Sequence, residues 1–327
     1  MASARNVVTP GLSFDAMSSV QATVAEARAA EAAGARSLWV ASHLFFRDPF
    51  GLAMAVLQGT QRATVLPMAV SPYAMHPLHA AMAAATLDEA APGRAALCLG
   101  SGNPVDLAEA GRVQERPVRT MREAVEICRR LLAGEALTFE GEVFRMRGRR
   151  MHPTPAGLIP IYLTAMGEQM FALGGAVADG VVLSAGCSVE FVRHARALVE
   201  RGAGRRKVTL AGLVLTALSD DERAALERHR RRLGFLLRGK HHEPNLRLAG
   251  TAVDREALIR AVAADDWEAA RAMISHDVVR AHTVSGDAAH CRRRLREYRD
   301  AGLDTLVLTG ITDPAEMRQA MAIAASL

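Results

Sequence analysis

Residues 62–102 read RATVLPMAVSPYAMHPLHAAMAAATLDEAAPGRAALCLGSG. The apolar run Arg62–Ser71 has the composition of a strand buried on both faces. It breaks into Ser71-Pro72-Tyr73, and His76-Pro77 opens an alanine-rich helix expected over Pro77–Ala91. A second apolar run, Arg94–Gly102, then ends in a glycine-bearing turn. Strand, helix and strand follow one another without a linker, and the rest of the chain repeats the unit.

Before it stand a strand over Asn6–Phe14, a helix over Ser18–Ala33 that Gly34 stops, a strand over Ala35–Ser42 and a helix over Asp48–Gly59. After it comes a helix over Arg116–Ala133, with Met121, Ala124, Val125, Cys128, Leu131 and Leu132 on one stripe. Further strands are expected over Ile159–Met166, Gly180–Gly186, Lys207–Leu218 and Leu303–Gly310. Helices are expected over Glu168–Ala178, Val189–Arg201 and Pro314–Ser326. Eight near-continuous apolar strands with intervening helices point to the α/β class and a (β/α)8 TIM barrel; an open doubly wound sheet is the alternative. The rhythm breaks twice, at a hairpin region of about 135–158 and a polar helical stretch of about 240–282. Both read as insertions into a single domain spanning 1–327.

With 327 residues, 50% of them hydrophobic and 23% charged, the composition is that of an ordinary globular protein. Aromatics make up 4%, so Ala, Val, Leu and Met must build the core. No apolar run approaches the roughly 18 residues of a membrane span. No signal-peptide apolar region precedes the first strand, so a cytoplasmic protein that engages no membrane is expected. Cys98, Cys128, Cys187 and Cys291 lie far apart, which suggests reduced thiols and neither a zinc site nor a disulfide framework. The net charge is +5. Its densest run, Arg228–His242, carries Leu233, Leu236 and Leu237 at helical spacing, so its arginines read as a solvated face. No nucleic-acid motif accompanies them.

In such a barrel the site lies at the C-terminal ends of the strands. Those ends read SHLFFRD, SPYAMHP, GSGNP, AMGEQ and SAGCS. Glycines there let a ligand approach the backbone, and helix N-termini offer free N–H groups to phosphate. There is no metal constellation, nucleophile elbow or P-loop, which leaves a redox cofactor as the carrier of chemistry. His43 follows its strand directly and is the candidate catalytic side chain, titrating near neutrality beside a hydride transfer. The competing reading is a histidine that merely bonds its own loop. His76 is expected to cap or pack the helix after it, and Cys187 to line the pocket or simply pack.

The runs SLWVASHLF, MAVSPYAMHPLHAAMAAATLDEAAPGRAALCLGSGNP, RPVRTMREAVEICRRLLAGEALTFEGEVFRM and IPIYLTAMGEQMFALGGAVADGVVLSAG, with the closing AGLDTLVL, span most of the chain in order. So ordered, they resemble the luciferase-like flavin and deazaflavin oxidoreductases, in particular the methylenetetrahydromethanopterin-reductase-like branch. The resemblance implies a hydride transfer between coenzyme F-420, or FMN, and a small organic substrate. An FMN-dependent monooxygenase and a non-catalytic flavin-binding barrel are the alternatives. It also implies a homodimer or higher homo-oligomer. His43 matches the family's mouth histidine, with Ser42 where Asp often stands. A non-prolyl cis peptide is implied at Ala69–Val70, with Ala69, Val70 and Ser71 against the cofactor ring and Tyr73 edging the substrate pocket. Gly100, Ser101, Gly102 and Asn103 match a loop along the cofactor; some deazaflavin dehydrogenases carry Glu at the position of Asn103. Thr164, Ala165, Met166 and Gly167 match the loop near the ribityl phosphate. Cys187 stands where sugar-phosphate dehydrogenases have lysine, which argues against a phosphorylated sugar.

Overall fold

The structure, a computed structural model, describes residues 8–152, 154–311 and 313–327. Eleven strands follow in chain order: β1 (Thr9–Phe14), β2 (Ser37–Ala41), β3 (Thr64–Met68), β4 (Leu97–Leu99), β5 (Leu137–Glu140), β6 (Arg145–Arg149), β7 (Ile161–Thr164), β8 (Gly180–Leu183), β9 (Thr209–Leu218), β10 (Val284–Gly286) and β11 (Thr305–Thr309). Eight of them pair in parallel in the order β3-β2-β1-β11-β9-β8-β7-β4. Single bridges Val65–Ala95 and Val70–Leu99 join the two ends of that order, so the sheet closes into the expected barrel. The open sheet is thereby excluded. The start proposed for the first strand, Asn6 and Val7, lies outside the described residues.

Local chemistry sets the helix boundaries. Ser19 accepts from Ala22 N at the start of Val20–Ala32, and Gly34 (φ +106°) lets the chain turn out of it. His76 accepts from Leu78 N at 3.1 Å and opens Pro77–Ala90, while its ring meets Phe144 edge-on at 5.2 Å. Both roles expected of His76, capping and packing, are therefore present.

Inside the barrel, alternation along the strands turns Trp39, Leu66, Met68, Ala96, Cys98, Val182, Ala211 and Val307 toward the axis. Trp39 and Tyr162 meet edge-on, centroids 5.5 Å apart, and Trp39 Nε1 donates to Ser37 Oγ at 2.9 Å. Two glycines make space for these rings. A Cβ on Gly11 would stand 3.0 Å from Trp39 Nε1, and one on Gly180 2.3 Å from the Tyr162 ring. The scarcity of aromatics is thus offset by placing two of them on the axis. A larger apolar layer fills the space between barrel and helices.

β5 and β6 form an antiparallel hairpin outside the barrel. The buried carboxylate of Glu123 holds its turn, accepting from the N–H groups of Glu142 (2.9 Å), Val143 (3.0 Å) and Phe144 (3.0 Å). β9 runs ten residues and rises past the rim, where β10 joins it. Around that extension pack the helices Glu222–Arg228, Arg230–Leu237, Arg255–Ala263, Trp267–Ala272 and His276–His282, with a core of their own that includes Leu233, Leu237, Leu258 and Ile274. The arginine-rich helix expected after the seventh barrel strand is therefore two helices, broken at His229.

Candidate active site

The bulky interior layer ends below the rim. Continuing the inward alternation by two residues gives Ala41, Gly100, Thr164, Ser184 and Thr309, all small, with the larger Leu213 on β9. They close the barrel interior beneath a bowl bounded by the strand exits, with Thr164 and Ser184 partly open and Ala41, Gly100 and Thr309 buried. Gly100 is required there: a Cβ would meet Thr164 Oγ1 at 2.4 Å and Ala69 Cβ at 2.7 Å.

The wall from β3 contains a non-prolyl cis peptide, at Met68–Ala69. This corrects the expected position, Ala69–Val70, by one bond. The ladder explains the offset: Val70 N donates to Cys98 O (2.8 Å) and Gly100 N donates to Val70 O (3.0 Å), so Val70 already pairs with β4 and the irregular bond precedes it. Ser71 is buried; its Oγ donates to Ser101 O at 3.3 Å and accepts from Tyr73 N at 3.3 Å. The Tyr73 hydroxyl is spent on the Glu115 carbonyl, which ties this wall to the segment before helix Pro117–Leu132. Gln114 Nε2 donates to the carbonyls of Ser101 (2.8 Å) and Gly102 (3.1 Å). Asn103 caps the short helix Pro104–Glu109, accepting from Val105 N and donating to Asp106 Oδ1, both at 3.0 Å. Ala69, Val70, Ser71, Gly100, Ser101 and Gly102 are thus one connected surface, with the Asn103 side chain turned to its own helix.

His43 continues the inward parity of Trp39 and Ala41 and stands at the mouth, exposed to solvent. Its ring meets Phe46 edge-on at 5.8 Å. The mouth is concave, so protein replaces much of the bulk water around the ring, and this desolvation moves the imidazole pKa down. The Asp106 and Asp15 charges oppose that shift, and the Arg232 charge adds to it. His43 is therefore mostly neutral at pH 7, as a proton acceptor should be. Ser42 N donates to Met68 O at 2.6 Å, binding the histidine's loop to the β3 wall. Arg47 Nη1 donates to Ala16 O (3.0 Å) and Met17 O (2.9 Å), binding it on the other side to the β1 exit.

On the far side, Thr164 and Met166 are partly open, Ala165 is buried, and Gly167 is exposed at the start of helix Glu168–Val177. No side chain caps that helix, and a Cβ on Gly167 would meet nothing within 4 Å. Its first N–H groups have no intrahelical acceptor. Cys187 is buried, with Sγ donating to Ser184 O at 3.1 Å and 3.8 Å from Met166 Sδ. Burial pushes its thiol pKa up, so it is no nucleophile; it packs beneath the β8 exit and Met166.

The β8 exit is held from behind by residues of the helical stretch between β9 and β10. Asn245 Nδ2 donates to Gly186 O (2.8 Å) and Asn245 Oδ1 accepts from Ser188 N (2.8 Å). His282 Nδ1 lies 2.9 Å from the same Gly186 carbonyl, with Thr251 Oγ1 2.8 Å from its other nitrogen. Sequence reading missed this network, and it missed Asp15, Asp106 and Arg232 at the mouth. The parity that places His43 also places Asp15, two residues past Ser13; for the others no local signal existed.

Two clefts of about 430 Å³ each lie away from the bowl. One is walled by Arg196, Lys207 and Asp304, beside the N-terminal ends of β9 and β11, the face of a barrel that serves stability. Among the described residues no group of three potential ligands could hold a metal ion, and no helix is long and apolar enough to cross a membrane.

The chain is 29% identical, over 85% of its length and 86% of the relative's, to 5,10-methylenetetrahydromethanopterin reductase of Archaeoglobus fulgidus. It is 28% identical, over 79% of its length and 77% of the relative's, to F420-dependent glucose-6-phosphate dehydrogenase of Rhodococcus erythropolis. The solved coenzyme F420-dependent tetrahydromethanopterin reductase from Methanopyrus kandleri superposes with a TM-score of 0.88 over 97% of both chains at 22% identity, a likeness of fold. The family model for luciferase-like monooxygenases matches residues 4–305, nearly the whole barrel, and the chain belongs to that family.

Proposed function

We propose that the protein is a deazaflavin-dependent oxidoreductase that exchanges a hydride between coenzyme F-420 and a small organic substrate. The observation that carries the reading is the bowl. It has a floor of small residues, a neutral histidine on one edge and an uncapped helix N-terminus on another, and the curated relatives of the chain include reductases and F420-dependent dehydrogenases. Small floor residues and the Ala69–Ser71 wall suit a flat ring. The open N–H groups after Gly167 suit a phosphate.

When bound, the cofactor supplies two-electron hydride chemistry. The protein's share is position and proton management. Ala69, Val70, Ser71, Gly100, Ser101 and Gly102 would hold the ring, and Thr164 to Gly167 would hold the phosphate. His43 accepts, on its free ring nitrogen, the proton that leaves the substrate with the hydride, or returns it in the reverse direction. Tyr73 and Cys187 act by shaping the pocket, the first by fixing the wall and the second by packing under it. We place the enzyme in the cytoplasm, as a homodimer or higher homo-oligomer.

Titration of purified protein with F-420 and with FMN, followed by fluorescence, tests the proposal. Saturable micromolar binding of F-420 and no oxygen-dependent reoxidation of its reduced form are expected. Tight binding of FMN alone, with rapid oxygen consumption on reduction, would instead establish a monooxygenase. Binding of neither would sink the enzyme reading.

A further inference from the structure

Four of the five arginines of the run Arg228–Arg238 have partners among the described residues. Arg228 pairs with Glu316, and Arg230 pairs with Glu227 at 2.8 Å. Arg231 stacks over Trp267 at 4.3 Å and Arg238 over Phe235 at 3.7 Å. Arg232 forms no ion pair, hydrogen bond or aromatic contact with any described residue.

Its place in the fold shows what it faces. Residues 229, 232, 233 and 236 share one face of the helix Arg230–Leu237 and its N-terminal flank. A Cβ on Gly310, at the exit of β11, would lie 2.7 Å from the His229 ring. A Cβ on Gly186, at the exit of β8, would lie 3.3 Å from Leu233 and 3.6 Å from Leu236. Arg232 therefore projects between two strand exits, over the bowl. Its charge acts on His43 at the β2 exit and feels Asp15 at the β1 exit. Protein surrounds the guanidinium enough to disfavour its charge, and Asp15, the carboxylate that acts on it, forms no ion pair with it. A partly desolvated cation without a partner is costly, and five N–H donors in a planar fork suit an oxyanion.

We propose that Arg232 is the substrate-recognition residue of this site, its guanidinium receiving a carboxylate or phosphate group of the molecule that reacts beside His43. The inference rests on the proposed oxidoreductase reading. It adds the class of substrate, one with an anionic group held beneath the helix that docks on the β8 and β11 exits. Phe45 and Phe46, both exposed beside His43, would flank the apolar part of such a molecule.

The test uses benzoate, its neutral isostere benzamide, and phenyl phosphate, with binding followed by saturation-transfer NMR on protein with and without F-420. Wild-type protein is expected to bind benzoate at least tenfold more tightly than benzamide. Arg232→Gln should bring the two within twofold, and Arg232→Lys should keep part of the preference while controlling for folding. Comparing phenyl phosphate with benzoate identifies which oxyanion the fork prefers. The affinity for F-420 should stay within twofold in both variants. An unchanged benzoate preference in Arg232→Gln would overturn the inference, as would no saturable benzoate binding by wild type. A tenfold loss of F-420 affinity with benzoate binding intact would assign the cation to the cofactor instead. The cofactor-free arm stands even if F-420 does not bind, so the two readings fail separately.

Discussion

Replacing Gly100 by alanine puts one methyl group on the floor of the bowl, and the structure sets its consequences. The new Cβ would lie 2.4 Å from Thr164 Oγ1 and 2.7 Å from Ala69 Cβ, where ordinary contact begins at 3.4 Å. Thr164 can relieve its part by turning the hydroxyl, since no hydrogen bond holds it to a described residue. Ala69 has no rotamer to change. Its backbone must retreat by about 0.7 Å, taking with it the two bonds that join Val70 to β4. Overpacking of this kind costs about 1–3 kcal/mol, and weakening those ladder bonds adds about 1 kcal/mol. We expect Gly100→Ala to lose about 3 kcal/mol in urea unfolding and at least tenfold in F-420 affinity. Adding Ala69→Gly should recover about half of the lost stability, whereas Thr164→Ala should recover little. Stability within 0.5 kcal/mol of wild type, or rescue by Thr164→Ala alone, would refute the assignment of Ala69 as the immovable wall.

Two further outcomes follow from the histidines. His43→Ala should lower kcat by about 10²–10⁴-fold with F-420 affinity changed less than threefold. In wild type the acid limb of kcat/KM should have its midpoint below 6.5, because desolvation lowers the imidazole pKa; a midpoint above 7 would remove His43 as the base. Burial lowers His229 to about 4, His242 to about 3 and His282 to about 4. Below pH 6.5 the unfolded chain binds protons that the folded chain refuses, so stability is full above that value and is lost as pH falls toward 4. At about 1.4 kcal/mol per unit per group, the loss at pH 5 is on the order of 5 kcal/mol. Urea midpoints at pH 7.5 and pH 5 measure it, and equal midpoints would show that these rings are not kept neutral.

The barrel was legible because its signals are local. A strand buried on both faces must be apolar throughout, and a helix between strands must carry a stripe, whatever else the chain does. The strand ends then marked the mouth, with His43 directly after its strand. That both His43 and Gly100 continue an inward parity, four residues past Trp39 and two past Cys98, follows only once the structure turns those two toward the axis. His76-Pro77 likewise announced a helix start that the cap confirms.

What the sequence by itself could not decide is which neighbours meet across the chain. The Arg228–His242 run reads the same whether Arg231 or Arg232 faces solvent. The helix docks on Gly186 and Gly310, 50 and 80 residues away in the chain, and only that docking turns Arg232 over the bowl. The one-bond displacement of the cis peptide had the same origin. It depended on Val70 pairing with β4, a register set by the closing of the barrel. Asn245 and His282 were two polar residues of a helical stretch until folding brought both to the Gly186 carbonyl, where a buried acceptor must find donors. Periodicity records what each element buries, and that is local physics. The site is made where elements of distant origin converge, and only the closed tertiary structure places their charges and donors together.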